Sequence, residues 1–92
     1  MAAERFELIP GQYWRGVYRT FEDYIYLFHV VCCRIDDAYF DLRDPVQYEV
    51  AYIALGVDRG ETGTFTIGAA ALQEIYYLEP AEEYEWLLAS LS

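Results

Sequence analysis

The sequence contains no lysine. Its positive charge rests on six arginines against sixteen acidic side chains, for a net charge of −10 at pH 7. Such a chain is repelled by phosphate backbones and anionic bilayers, which argues against direct contact with nucleic acid or a membrane surface. A basic partner would instead be attracted. Cysteine is scarce too: Cys32 and Cys33 are the two it has, and they are adjacent. Neighbours in an extended chain point to opposite faces, so this pair is badly placed to bridge. A secreted disulfide framework is thereby excluded, and a reducing, cytoplasmic setting is expected. Histidine occurs once, as His29. No acid–base pair and no metal-ligand spacing can be built around it, so the chain reads as a non-enzyme with no cofactor and no metal. No apolar run is long enough to span a bilayer, and residues 1–11 lack the basic start and apolar stretch of a signal peptide, so a soluble protein is expected.

What is abundant is aromatic surface. Of 92 residues 55% are hydrophobic and 18% aromatic, with ten tyrosines. One small domain, spanning 1–92, cannot hide all of that, so some aromatic area is expected at an interface. The clearest internal stretch is Tyr24 to Ile35, YIYLFHVVCCRI, interrupted by His29 and Arg34 alone. Its β-branched and aromatic residues favour a strand. Thr20 with Asp23 resembles a helix capping box and supports the competing helical reading. Apolar character on both faces places this run centrally, covered on each side.

Around it the chain is punctuated. Phe6 to Ile9 reads as a short strand stopped by Pro10-Gly11, and Tyr13 to Phe21 as a strand with Arg15 and Arg19 on the side of Tyr13 and Val17. Glu22-Asp23 reads as a hairpin loop, and Ala38 to Leu42 as a return strand. Val46 to Leu55 carries both helix and strand signals. Gly56 to Gly63 is a loop, Thr64 to Ile67 a short strand, and Ala69 to Leu78 begins helix-like and ends strand-like. The last segment, 80–91, reads as an amphipathic helix with Pro80 in its first turn. Tyr84, Leu87, Leu88 and Leu91 recur at the spacing of one buried face. The expected fold is α+β: a small single domain with an antiparallel β-sheet meander built on a central strand, 24–35, and a C-terminal amphipathic helix, 80–91.

Charge is unevenly spread. Residues 1–35 hold four acids and four arginines, whereas 36–92 hold twelve acids and two arginines, so the entire net charge lies in the second part. Two acidic groups stand out as candidate partner-binding residues. Asp36, Asp37, Asp41 and Asp44 do not have calcium-loop spacing, and serve either as turn and cap residues or as a carboxylate patch facing a basic groove. Glu82, Glu83 and Glu85 surround Trp86, which helical geometry turns away from the leucine stripe. Trp86 is then either an exposed interface anchor or packed on a neighbouring element. His29 reads as a hydrogen-bonded core residue, and Cys32 and Cys33 as small apolar thiols rather than nucleophiles.

The function expected from these features is a small acidic inhibitor or nucleic-acid mimic acting on a basic nucleic-acid-handling protein, a nuclease or effector complex. In size and charge alone the chain resembles phage anti-defence proteins, such as anti-CRISPRs, and immunity proteins against nuclease toxins. The alternative is a protein–protein adaptor or homodimer whose contact is aromatic.

Overall fold

The structure, a computed structural model, describes residues 8–35 and 46–91. Its elements in chain order are β1 (Tyr13–Tyr18), β2 (Ile25–Ile35), β3 (Val46–Ala54), β4 (Thr62–Gly68), α1 (Ala69–Ile75), β5 (Tyr76–Ala81) and α2 (Glu83–Leu91). The strands form one antiparallel sheet in the order β4-β3-β2-β1-β5, so the α+β meander expected from the sequence is the fold, with β2 at its centre.

The run from Tyr24 is a strand because its β-branched and aromatic side chains find cross-strand neighbours on both sides. Phe28 pairs with Trp14 of β1 and Tyr52 of β3, and Val30 pairs with Val50. The Thr20–Asp23 helix start is not used; residues around it form the β1–β2 loop, where the Tyr24 N–H donates to the Phe21 carbonyl. A bulge at Val31 shifts the β2–β3 register, pairing Val30 with Val50 but Cys32 with Glu49. Val46 to Leu55, evenly contested in the sequence, supplies strand β3. The predicted return strand Ala38 to Leu42 lies outside the described residues. Residues 8 and 9 are not in a strand, while the turn at Pro10-Gly11 is present, with Gly11 at φ 97°.

Strand alternation divides the side chains between two faces. One face carries the core: Leu8, Phe28, Val30, Val50 and Leu72 are buried together, with Trp14, Tyr26, Tyr48, Tyr52, Phe65, Ile67, Tyr76 and Leu78 packed against them. Leu72 belongs to α1, which carries the chain from edge strand β4 across this face to the opposite edge, β5. The β4 end lies beside Gln47 and the β5 start beside Tyr18. At about 1.5 Å per residue, the seven-residue α1 is only about 10 Å long, less than the four strand spacings of about 4.8 Å each that would separate the edges of a flat sheet, so the sheet curls to bring the β4 end and the β5 start together. The tyrosines to one side of it stay open.

The other face receives α2. Pro80, expected in the first helical turn, sits in edge strand β5 opposite Trp14, where its missing N–H costs no ladder bond if that side faces outward. The helix begins three residues later. Its orientation corrects the sequence reading: Tyr84, Leu87, Leu88 and Leu91, expected to be buried, are 65%, 52%, 51% and 84% exposed. The helix docks through its opposite side. The β1–β2 register sets Tyr13 beside His29, stacked at 4.3 Å, and this shelf accepts Trp86 edge-on at 5.8 Å from Tyr13. Two residues along the same face, Arg15 reaches Glu85 at 2.7 Å. A large ring with a prepared seat and an ion pair outweigh the leucine stripe. Among the described residues, no helix is long and apolar enough to cross a membrane.

Candidate functional site

The acidic residues singled out in the sequence divide three ways. Asp36, Asp37, Asp41 and Asp44 lie outside the described residues. Glu82 and Glu83 are exposed at the start of α2, where the backbone N–H groups of Glu85 and Trp86 turn toward the Glu82 carbonyl. Glu85 is instead committed to Arg15, and Trp86 is half-buried on Tyr13 and His29, so of its two readings the packed one is observed. Glu82, Glu83, Glu85 and Trp86 are therefore not alike: two are exposed, and two hold the helix to the sheet.

Two of the described arginines make contacts within the fold while staying exposed. Arg15 pairs with Glu85, and the Arg19 Nε–H donates to the Gln73 carbonyl at 2.9 Å while its guanidinium lies 4.1 Å over the Tyr77 ring. Exposed carboxylates remain at Glu22, Asp23, Asp58, Glu61, Glu74, Glu79, Glu82 and Glu83. Arg59, exposed between Asp58 and Glu61, is a cation among them.

A second surface was not located by sequence reasoning. On the core face, beside α1, two cavities share Tyr26 and Tyr76 as a common wall. One, of 330 Å³, is lined further by Tyr18, Phe21 and Tyr24. The other, of 370 Å³, is lined by Tyr52, Phe65, Glu61 and Thr64 over a floor of Phe28. Both fall in the size range of small-ligand sites. The walls are rigid because the rings brace one another edge to face: Tyr76 lies 5.6 Å from Tyr18, 5.6 Å from Tyr26 and 4.9 Å from Phe28, and Tyr26 lies 6.0 Å from Tyr52. The rim is acidic. The Tyr52 hydroxyl donates to Glu61 Oε1 at 3.4 Å. Burial raises Tyr26, Tyr52 and Tyr76 above the ordinary tyrosine value of 10.0, and at Tyr26 and Tyr52 the charges of Asp58 and Glu61 push the same way. The available signal was the count of tyrosines; what gathers them is the pairing of β5, β1, β2 and β3, which no local pattern encodes.

His29 and Cys32 each have a polar neighbour within the fold. His29 Nδ1 lies 3.3 Å from the Gln12 carbonyl oxygen, and Tyr13 covers its ring. The Cys32 thiol donates to Glu49 Oε2 at 3.3 Å, while Cys33 is exposed and both thiols are free. Among the described residues, no three His, Cys, Asp or Glu side chains converge to hold a metal ion. Compared with protein-family models, with curated proteins and with solved structures, the chain matches none of them.

Proposed function

We propose that this protein is a small acidic inhibitor, or nucleic-acid mimic, that occupies the basic groove of a nucleic-acid-handling protein such as a nuclease or effector complex. The observation that carries the reading is the excess of exposed acids: eight carboxylates of the described residues stand exposed, against three exposed arginines, of which Arg15 is paired with Glu85 and Arg19 lies over Tyr77. The described surface thus carries eight exposed carboxylates against exposed Arg15, Arg19 and Arg59, in keeping with the acidic composition. Such a surface speeds encounter with a basic partner and competes with its phosphate ligand. Glu82 and Glu83 are the binding residues on α2, and Asp36, Asp37, Asp41 and Asp44 the second group.

The test is affinity capture from the native host, followed by measurement of the purified complex across ionic strength. Raising salt from about 0.1 M to 1 M shortens the screening length from about 10 Å to 3 Å, so binding should weaken at least tenfold. Charge reversal at Glu82 and Glu83, compared with reversal at Asp36, Asp37, Asp41 and Asp44, identifies the interface. A complex indifferent to both would overturn the proposal.

One observation favours the second reading, a homodimer or adaptor: the outward stripe of Tyr84, Leu87, Leu88 and Leu91 on α2. Under that reading complex formation survives high salt, and sedimentation shows self-association.

A further inference from the structure

The two aromatic cavities pose a problem that solubility does not answer. Tyrosines left merely exposed would not require a braced, concave arrangement with carboxylates at its edge. Tyr26, Tyr52 and Tyr76 line one 370 Å³ space, and exposed Glu61 lines it with them, already accepting from Tyr52. Ring faces are the negative pole of the aromatic quadrupole, and a carboxylate beside them adds full charge. A neutral apolar guest would gain burial there but nothing from Glu61 or from nearby Asp58. An anion would be repelled. The chemistry that satisfies every wall is a flat organic cation, able to stack on a ring while hydrogen-bonding a carboxylate in its plane. The stacking half of this recognition occurs within the fold, at the sheet's other face, where the Arg19 guanidinium lies 4.1 Å over Tyr77 while its Nε–H donates to the Gln73 carbonyl.

We propose that the trough formed by Tyr26, Tyr52, Tyr76 and Glu61 is a binding site for a guanidinium group, presented by an arginine of a basic polypeptide. The inference deepens the reading of the protein as a ligand for basic partners and rests on it. The adjoining 330 Å³ cavity, behind the shared wall of Tyr26 and Tyr76, receives a neighbouring side chain of the same polypeptide. Charge on the outer surface brings the partner in, and the trough fixes one arginine in register.

The experiment titrates the intact protein with N-acetyl-arginine methylamide and follows the tyrosine ring protons by NMR. N-acetyl-citrulline methylamide, nearly isosteric but uncharged, is the control. The arginine probe should shift Tyr26, Tyr52 and Tyr76 selectively, with the citrulline probe at least fivefold weaker. Glu61→Gln, in an exposed loop whose backbone hydrogen bonds are retained, should weaken the arginine probe about threefold to tenfold, and Tyr52→Leu by a similar factor. A short peptide carrying the same arginine should bind more tightly than the free probe; equal affinity would assign the site to a small guanidinium metabolite and overturn the polypeptide assignment. Equal response to arginine and citrulline, or no shift in the trough, would overturn the guanidinium site. Reversal of Glu82 and Glu83, on α2 across the sheet, separates the two proposals: it removes partner binding if the mimic reading holds and leaves the probe's shifts intact.

Discussion

Replacing Gly16 with alanine adds one methyl group to the middle of β1, at a position paired with Tyr26 on one side and Leu78 on the other. In most strands this change stabilises, because glycine gives up more chain entropy on folding, by about 0.5–1 kcal/mol. Here the added carbon would run into the ring of Phe28. That ring cannot step aside: it is 1% exposed and held by Tyr26 at 6.0 Å, Phe65 at 5.9 Å and Tyr76 at 4.9 Å. Overpacking of a closed site costs about 1–3 kcal/mol, so Gly16→Ala should be destabilising by about 1–2 kcal/mol after the entropic gain. With a urea m-value of about 1 kcal/mol/M for a domain of this size, the unfolding midpoint should fall by about 1–2 M. The cause is tested by adding Phe28→Leu, which shortens the side chain that the methyl meets. In the Gly16→Ala background this second change should cost at least 1 kcal/mol less than it does alone, a coupling that a double-mutant cycle reads directly. A midpoint unchanged or raised by Gly16→Ala would refute the reasoning, as would strictly additive effects.

Alkaline titration checks the electrostatics of the trough. Phenolate absorbance should show Tyr13, Tyr26, Tyr52 and Tyr76 ionising above the ordinary value of 10.0, with the upper part of the curve collapsing to 10.0 on unfolding. Because the folded state holds these protons more tightly, their contribution to stability is full below pH 10 and is lost as pH rises through the elevated values. Thiol labelling checks the bulge at Val31: exposed Cys33 should react well before Cys32, whose thiol is half-buried against Glu49, and Cys33→Ser should remove the fast phase. Trp86→Ala should release α2 from its shelf and cost about 2–4 kcal/mol, whereas Glu85→Gln, breaking a half-exposed ion pair, should cost under about 1 kcal/mol; equal costs would mean that the helix is not held by its ring.

The strands were legible wherever local preference and burial agree. Tyr24 to Ile35 declares itself by composition, and the change of character within Ala69 to Leu78 is real, a helix to Ile75 and a strand from Tyr76. Val46 to Leu55 was ambiguous because Asp44-Pro45 mimics a helix start; only its pairing with β2 decides for strand, and pairing is not a local property. The orientation of α2 was misread for a related reason. Periodicity assigns the leucine stripe to the interior, but it cannot see that Tyr13 and His29, sixteen residues apart, make a seat for Trp86. The trough was foreshadowed only as surplus aromatic area. Its location depends on a crossing that joins the two edges of the sheet.

That crossing also sets an order of events during synthesis. The pairing of Tyr18 with Tyr76 joins positions 58 residues apart, and it is β5 that covers the outer edge of β1. Chain elongation at about 5–20 residues per second leaves that edge uncovered for about 3–12 s after β1 emerges. Through this interval the β1–β2–β3–β4 meander can assemble, yet it ends in an unpaired strand bearing Trp14 and Tyr18, the kind of edge that recruits foreign strands. The alternation of Arg15 and Arg19 along and just beyond β1 places fixed positive charge on that border while it waits, and these are the same two side chains that the completed fold later draws into contact with Glu85 and Tyr77.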